Sequence, residues 1–132
     1  MLISNEGAVL AAVAYACSLY MSVFFEYGVF GQTILWLPLI LYAVETLLVT
    51  LSIKGLLTLV FSLVFAAFGG HLQIFSYLLV FAFSYALFRM QSLEKKRVVG
   101  SVIIIFAFII AIGIYAIQLL PSLELINLSA RD

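Results

Sequence analysis

The sequence has little charge, a single cysteine and a single histidine. Only 9% of its 132 residues are charged, and six basic residues balance six acidic ones, so the formal net charge is zero. A neutral chain gives no reason to expect nucleic acid as a partner. Cys17 has no second cysteine with which to form an internal disulfide. A zinc site built from Cys17 and His71 would need carboxylates to complete it, so no structural zinc, other metal or cofactor is expected.

The residues that are present are mostly apolar. Hydrophobic residues make up 67% of the chain, and the mean hydropathy is +1.31. An ordinary soluble domain is about 45–50% apolar and about 25% charged. A water-soluble fold of this length could not bury so much apolar surface, so the solvent must be lipid. The composition therefore predicts an all-α protein, a polytopic bundle of transmembrane helices.

Short polar breaks divide the chain into five predicted spans. A helix needs about 20 apolar residues to cross a hydrocarbon core of about 30 Å. We expect one transmembrane helical region without separate domains, followed by a short amphipathic tail over residues 122–132. The predicted spans cover residues 7–25, 31–51, 55–69, 73–88 and 98–120.

The two prolines predict different effects on their helices. Pro38 lies inside the second span. It frees a backbone carbonyl and kinks the helix, which a membrane tolerates only where a neighbour bonds that carbonyl. Pro121 follows the fifth span, and we expect the helix to stop there.

Basic residues predict the orientation. Five of the six fall in the two loops that five spans place on one side of the membrane, and the positive-inside rule makes that side cytoplasmic. The N-terminus is then inside and the C-terminus outside. The Lys95–Arg97 run is read as a topological signal with contact to anionic lipid. The five residues are Lys54, Arg89, Lys95, Lys96 and Arg97.

The same orientation places several polar residues at the outer face. His71 and Gln73 lie in a predicted hairpin whose legs are about 14 and about 15 residues long, each only ~21–23 Å as a helix. Such short legs predict that both side chains sit below the outer interface, facing a cavity or the bundle interior. The alternative is a glycine-permitted turn that His71 merely caps or hydrogen-bonds.

Two interpretations are also open for other polar residues. Gln118 and Glu124 flank Pro121, and Gln118 either satisfies loosened backbone or binds a ligand. Glu45, near the inner end of the second span, either snorkels or pairs with Arg89 or Lys54. No nucleophile elbow, phosphate-binding glycine loop or metal-ligand cluster is present, so we assign no catalytic residue.

Three motifs, in order along nearly the whole chain, resemble the YfhO-like family of bacterial multi-pass membrane proteins. Residues 36–39 (WLPL), followed by Glu45, resemble one span of that family. Residues 69–73 (GGHLQ) with Tyr77 are similar to its "GHPQ…Y" hairpin, with Leu72 where proline is usual. Residues 118–131 are similar to its "QLLPTLEL…S.R" ending.

The resemblance implies a function at the outer face. The family looks like the GT-C glycosyltransferases, helical membrane enzymes that take sugars from polyprenyl-phosphate carriers. It implies a role in cell-envelope glycosylation in the bacterial cytoplasmic membrane. In that role His71 would contact a phosphate, Gln73 and Gln118 would bond sugar or phosphate oxygens, and Glu124 would orient a hydroxyl group.

The chain also departs from the family. Members are far longer and carry their catalytic carboxylate in a first large outer loop, for which this sequence has no counterpart. The resemblance therefore implies a segment that is not active alone, with the remaining spans of such a protein as partners. It leaves open whether the chain is an enzyme. Two alternatives stand beside it: a small transporter or flippase-like subunit, and an accessory membrane protein that binds partner helices.

Overall fold

The computed structural model describes residues 4–26, 28, 31–91 and 97–128, and within these ranges the regular structure is entirely helical. The all-α prediction is confirmed. Lys95, Lys96 and the end of the predicted tail, residues 129–132, lie outside the described residues. The helices are α1 (Asn5–Ala16), α2 (Leu19–Glu26), α3 (Gly31–Ile34), α4 (Leu37–Thr50), α5 (Ile53–Phe68), α6 (Leu72–Gln91) and α7 (Arg97–Leu128).

Three described stretches are long and apolar enough to cross a membrane. They are Gly31–Thr50, Leu72–Gln91 and Val98–Leu125, with 20, 20 and 28 residues. Helices α1 and α2 meet at a bend of 41° and would make a fourth crossing if they act as one span. Helix α5 is equally apolar but has only 16 residues, or ~24 Å of rise.

Helices α4 to α7 pack around one apolar core. Helix α4 contacts α5 and α6, and α7 lies mainly along α5. The fully buried side chains are aliphatic or small, and they extend the length of the four helices. Members of this core are Ile40, Val44, Leu47, Leu59, Leu63, Ala82, Ala86, Ile104 and Ala107.

The four helices alternate in direction, so the bundle has two distinct ends. At one, which we call the Lys54 end, α4 and α6 finish and α5 and α7 begin. Ser101 Oγ lies 2.9 Å from Met90 Sδ there. At the other, the His71 end, α5 finishes and α6 begins. The Tyr115 ring of α7 reaches this end, 6.1 Å from the Phe68 ring and 5.8 Å from the Phe75 ring.

Close backbone approach between α4 and α5 depends on Gly55. A Cβ atom at this position would lie 2.9 Å from both the backbone nitrogen and the Cα of Leu47. The turn before it is tight: Leu51 has a φ of +50°, and the Ser52 hydroxyl caps α5 by accepting from the Gly55 amide at 3.3 Å. The hairpin thus holds the polar start of α5 directly against the last turns of α4.

Two predicted boundaries are wrong. The helix of the fifth predicted span does not stop at Pro121, because α7 continues through the proline to Leu128. Pro121 has no amide hydrogen to donate to the Ile117 carbonyl. In the same turn, the Ser122 hydroxyl donates a hydrogen bond of 2.8 Å to the Gln118 carbonyl. The second hairpin leg is also longer than predicted, since α6 has 20 residues and includes Arg89. That length, ~30 Å, is enough for a full crossing.

Candidate functional site

His71 begins α6 as its cap. Its Nδ1 accepts a hydrogen bond of 3.4 Å from the backbone amide of Ile74, which satisfies one donor of the first helical turn. Gly70, with a φ of +84°, lets the chain turn directly before it. The geometry therefore matches the capping interpretation of His71. A ligand role for the half-buried ring stays a prediction.

Gln73 and Tyr77 form a polar pair one helical turn apart on α6. The side-chain amide of Gln73 donates to the Tyr77 hydroxyl at 2.9 Å. Both side chains are exposed on the outside of the bundle. Gln73 was expected to face a cavity or the bundle interior. The bundle interior is wrong, because the register of α6 turns Phe75 and Leu78 inward and leaves Gln73 and Tyr77 outside.

Tyr77 also belongs to an apolar groove, which we call the Tyr77 groove. This groove, of about 330 Å³, lies between α2, the α3–α4 region and α6. It follows α6 from the Gln73–Tyr77 pair toward the middle of the bundle, since Phe81 lies one turn beyond Tyr77. Its lining residues are Tyr20, Ile34, Leu37, Ile74, Tyr77, Leu78 and Phe81.

The Tyr77 groove was not predicted from the sequence. Residues 74, 77, 78 and 81 have the spacing of one helical face, which was a usable signal. In a membrane helix, however, every face is apolar. The spacing of apolar residues alone therefore does not distinguish a groove from a packed face or a lipid-facing surface. The groove also depends on Tyr20 of α2, and no local sequence pattern encodes the position of α2 beside α6.

The two α7 candidates lie at different depths. Gln118 is half-buried, one turn past Tyr115, whose ring contacts Phe75 of α6. It therefore shares the His71 end with His71 and Gln73. Glu124 is exposed and lies ~13 Å past Tyr115 along the axis of α7. The structure brings three of the predicted residues to one end and leaves Glu124 beyond them.

A second polar cluster lies nearer the Lys54 end. Arg89 donates from Nε to Glu45 Oε2 at 2.7 Å and from Nη2 to Oε1, a two-pronged contact. The Tyr85 hydroxyl donates to the same Oε2 at 3.3 Å. The predicted pairing of Glu45 with Arg89 is confirmed. These hydrogen bonds join α4 to α6. Because the guanidinium neutralises the carboxylate, the cluster offers no general base for catalysis.

The chemical repertoire at the His71 end is hydrogen bonding. Over the ranges that the structure describes, no three histidine, cysteine or acidic side chains come together to hold a metal. Polar groups at this end include the His71 imidazole, the amides of Gln73 and Gln118, and the Tyr77 hydroxyl. Groups of these types can donate to anionic oxygens and can both donate to and accept from hydroxyl groups.

Comparison of the chain with protein-family models, curated proteins and solved structures finds no match. The likeness to the YfhO-like family therefore rests on the three motifs. The structure gives one of them a local explanation. The i, i+4 spacing of Gln73 and Tyr77 in the hairpin motif is the spacing that their hydrogen bond requires.

Proposed function

We propose that this protein acts in cell-envelope glycosylation by binding a polyprenyl-phosphate-linked sugar at the His71 end. The observation that carries the proposal is the Tyr77 groove with the Gln73–Tyr77 pair beside it. A polyprenyl-linked sugar has a long apolar chain attached to a phosphate and a sugar. Along α6, the hydrogen-bonding groups of Gln73 and Tyr77 come first and the apolar groove follows. This order matches the polar head and the attached apolar chain of such a ligand.

Each part of such a ligand has a matching surface. The isoprenoid chain lies along Leu78 and Phe81, where burial of apolar area contributes about 25 cal/mol per Å² relative to water. Relative to lipid, the free-energy gain from burying this apolar area is smaller. Selectivity for this ligand over bilayer lipid therefore comes from its polar head. The Gln73 amide and the Tyr77 hydroxyl bond the phosphate or sugar oxygens, and bonds to a charged group are worth roughly 1.5–3 kcal/mol each.

We further propose a five-crossing arrangement in the bacterial cytoplasmic membrane. The bent α1–α2 pair crosses once, α3 and α4 cross together, and α5 crosses despite its 16 residues. Local thinning of the bilayer accommodates a helix of that length at a modest cost. Lys54 and Arg89 lie at the end opposite His71, which favours a cytoplasmic Lys54 end and an outer His71 end.

Binding in nanodiscs of zwitterionic lipid tests the proposal. We expect the purified protein to bind a polyprenyl-phosphate hexose, with affinity falling about tenfold in Tyr77→Phe and in Gln73→Leu. Ser76→Ala is the matched control, because among the described residues the Ser76 hydroxyl bonds just the Leu72 carbonyl of its own helix, at 2.8 Å. The proposal fails if the wild type does not bind, or if all three variants bind equally.

One observation favours a second candidate, an accessory protein that binds partner helices. None of the side chains of α1 is buried, and Val9, Leu10 and Val13 are each more than half exposed. A partner helix packed on α1 would cover them. Co-purification of a stoichiometric partner, lost on Leu10→Asn and accompanied by no binding of lipid-linked sugar, would support this candidate over the first.

A further inference from the structure

A polar groove lies between α4 and α5 at the Lys54 end, far from the residues proposed to bind the sugar. Its volume is about 440 Å³. The groove carries one cation and a concentration of hydroxyl groups that is unusual for two apolar helices. The polar residues along it are Tyr42, Thr46, Thr50, Ser52, Lys54 and Thr58.

The helical register explains why these side chains meet. Tyr42, Thr46 and Thr50 follow one another at i, i+4 spacing on α4, so they form one stripe. Lys54 and Thr58 have the same spacing on α5. The close approach at Gly55 sets the two stripes on either side of one narrow groove.

The donors in this groove divide into two groups. The Thr50 hydroxyl donates to the Thr46 carbonyl at 2.6 Å and lies 2.8 Å from the Ser52 hydroxyl, which caps α5. These two hydroxyls are committed to the turn. In contrast, the side chains of Tyr42, Thr46, Lys54 and Thr58 make no hydrogen bond or ion pair to another described residue.

This second group has the chemistry of an anion site. Lys54 brings a positive charge, and Glu45, the carboxylate on this part of α4, is already engaged by Arg89. Hydroxyl groups beside an ammonium group donate to phosphate oxygens. Basic pockets between membrane helices bind the head groups of anionic lipids for this reason.

The polar groove continues into an apolar one, which favours a lipid over a free anion. Thr58 lines both the polar groove and a second groove of about 660 Å³, where Leu39, Leu57, Phe61 and Phe65 provide an apolar wall. Phe61 and Phe65 lie ~10 Å and ~16 Å from Lys54 along α5. An acyl chain covers this distance from a head group at the interface.

We propose that this groove binds an anionic phospholipid. The phosphodiester contacts Lys54, the Thr46 and Thr58 hydroxyls donate to phosphate or glycerol ester oxygens, and one acyl chain runs past Leu57 to Phe61 and Phe65. The site lies at the opposite end from the Tyr77 groove and does not depend on the proposed sugar ligand.

Trp36 is a built-in reporter for the acyl chain. It is the single tryptophan of the chain, and its ring lies 5.8 Å from Phe61 and 5.2 Å from Phe65. The test uses bilayers of phosphatidylcholine containing a small fraction of lipid brominated at mid-chain, either phosphatidylglycerol or phosphatidylcholine. Bromine quenches tryptophan fluorescence on contact, so the ratio of the two quenching efficiencies reports the preference for the anionic lipid near Trp36.

We expect the wild type to prefer brominated phosphatidylglycerol about fivefold, the effect of about one basic side chain at a membrane surface. Lys54→Gln should abolish the preference, and Lys54→Arg should restore it. Lys95→Gln, which removes an equal charge from the basic run, should retain it. Thr58→Val, which removes only a hydroxyl, should lower the preference at least about twofold. This variant tests the proposal if Lys54→Gln fails to fold.

Three results would overturn the proposal. The first is equal quenching of the wild type by both brominated lipids. The second is an equal loss of preference in Lys54→Gln and Lys95→Gln, which would reduce the effect to general surface charge. The third is an unchanged preference in both Lys54→Gln and Thr58→Val, which would place the contact with anionic lipid outside this groove.

Discussion

The hydroxyl of Tyr15 donates a hydrogen bond of 2.7 Å to the backbone carbonyl of Ile34. In an unbroken helix that carbonyl would accept from the amide of residue 38, which is a proline and has no amide hydrogen. The sequence predicted that a neighbouring helix must bond the carbonyl freed by Pro38, and the structure confirms it. The bond also fastens α1, which buries none of its own side chains, to the rest of the bundle.

Replacing Tyr15 with phenylalanine should therefore destabilise the protein. The Ile34 carbonyl would lose its partner in apolar surroundings, at a cost of about 1–3 kcal/mol. Hydrogen exchange in α1 and α2 should rise, and the thermal unfolding midpoint should fall. In a Pro38→Ala background the alanine amide can bond Ile34, so the same Tyr15→Phe change should cost much less. Equal costs in the two backgrounds would show that the Tyr15 bond does not compensate for the proline.

The Glu45–Arg89 pair should show strong coupling between its two members. Arg89 lies in the last turn of α6 and has a long side chain that can snorkel to the interface. Glu45 is short and lies more than a turn inside α4. Arg89→Leu should therefore lower the unfolding midpoint more than Glu45→Leu, since it leaves the carboxylate without its cation.

The Glu45→Leu/Arg89→Leu double variant provides the control for this prediction. Replacing both members of an ion pair by apolar residues removes the desolvation cost together with the attraction. The double variant should therefore be more stable than Arg89→Leu alone. If the effects of the two single changes simply add, the pair contributes no coupling between α4 and α6.

Gly55→Ala should separate α4 from α5. The added methyl group would lie 2.9 Å from the Leu47 backbone, which cannot move aside as a flexible side chain could. Overpacking of this kind costs about 1–3 kcal/mol. Gly113→Ala is the matched control: nothing lies within 4 Å of its added Cβ, and alanine favours a helix by about 0.5–1 kcal/mol. Thermal unfolding in detergent compares the two, and equal midpoints would contradict the close approach.

Some features of this fold could be predicted from single residues and their spacing. Long apolar runs indicated the helices because a helix satisfies its backbone donors and acceptors within one continuous segment in lipid. Pro38 indicated a carbonyl in need of a partner, and Glu45 indicated a need for a cation. Both predictions were confirmed because few arrangements of low energy supply a partner to a polar group in an apolar medium.

Other features depend on three-dimensional context. Pro121 was expected to end its helix, yet α7 passes through it. The outward position of Gln73 follows from the register of α6 against α4, which is set by the packing of Phe75 and Leu78. The Tyr77 groove needs α2 beside α6, and the polar groove near Lys54 needs the close approach at Gly55. These are contacts between helices whose apolar faces look alike in sequence.

Photocrosslinking tests the central proposal most directly. A polyprenyl-phosphate hexose with a photoreactive group in its isoprenoid chain is added to the protein in nanodiscs, and the labelled peptides are identified by mass spectrometry. We expect adducts concentrated at Ile74, Leu78 and Phe81, suppressed by excess unlabelled ligand and reduced in Tyr77→Phe. Adducts spread equally over lipid-exposed positions of α7 such as Val102 and Ile109, without competition, would contradict a lipid-linked sugar site in the Tyr77 groove.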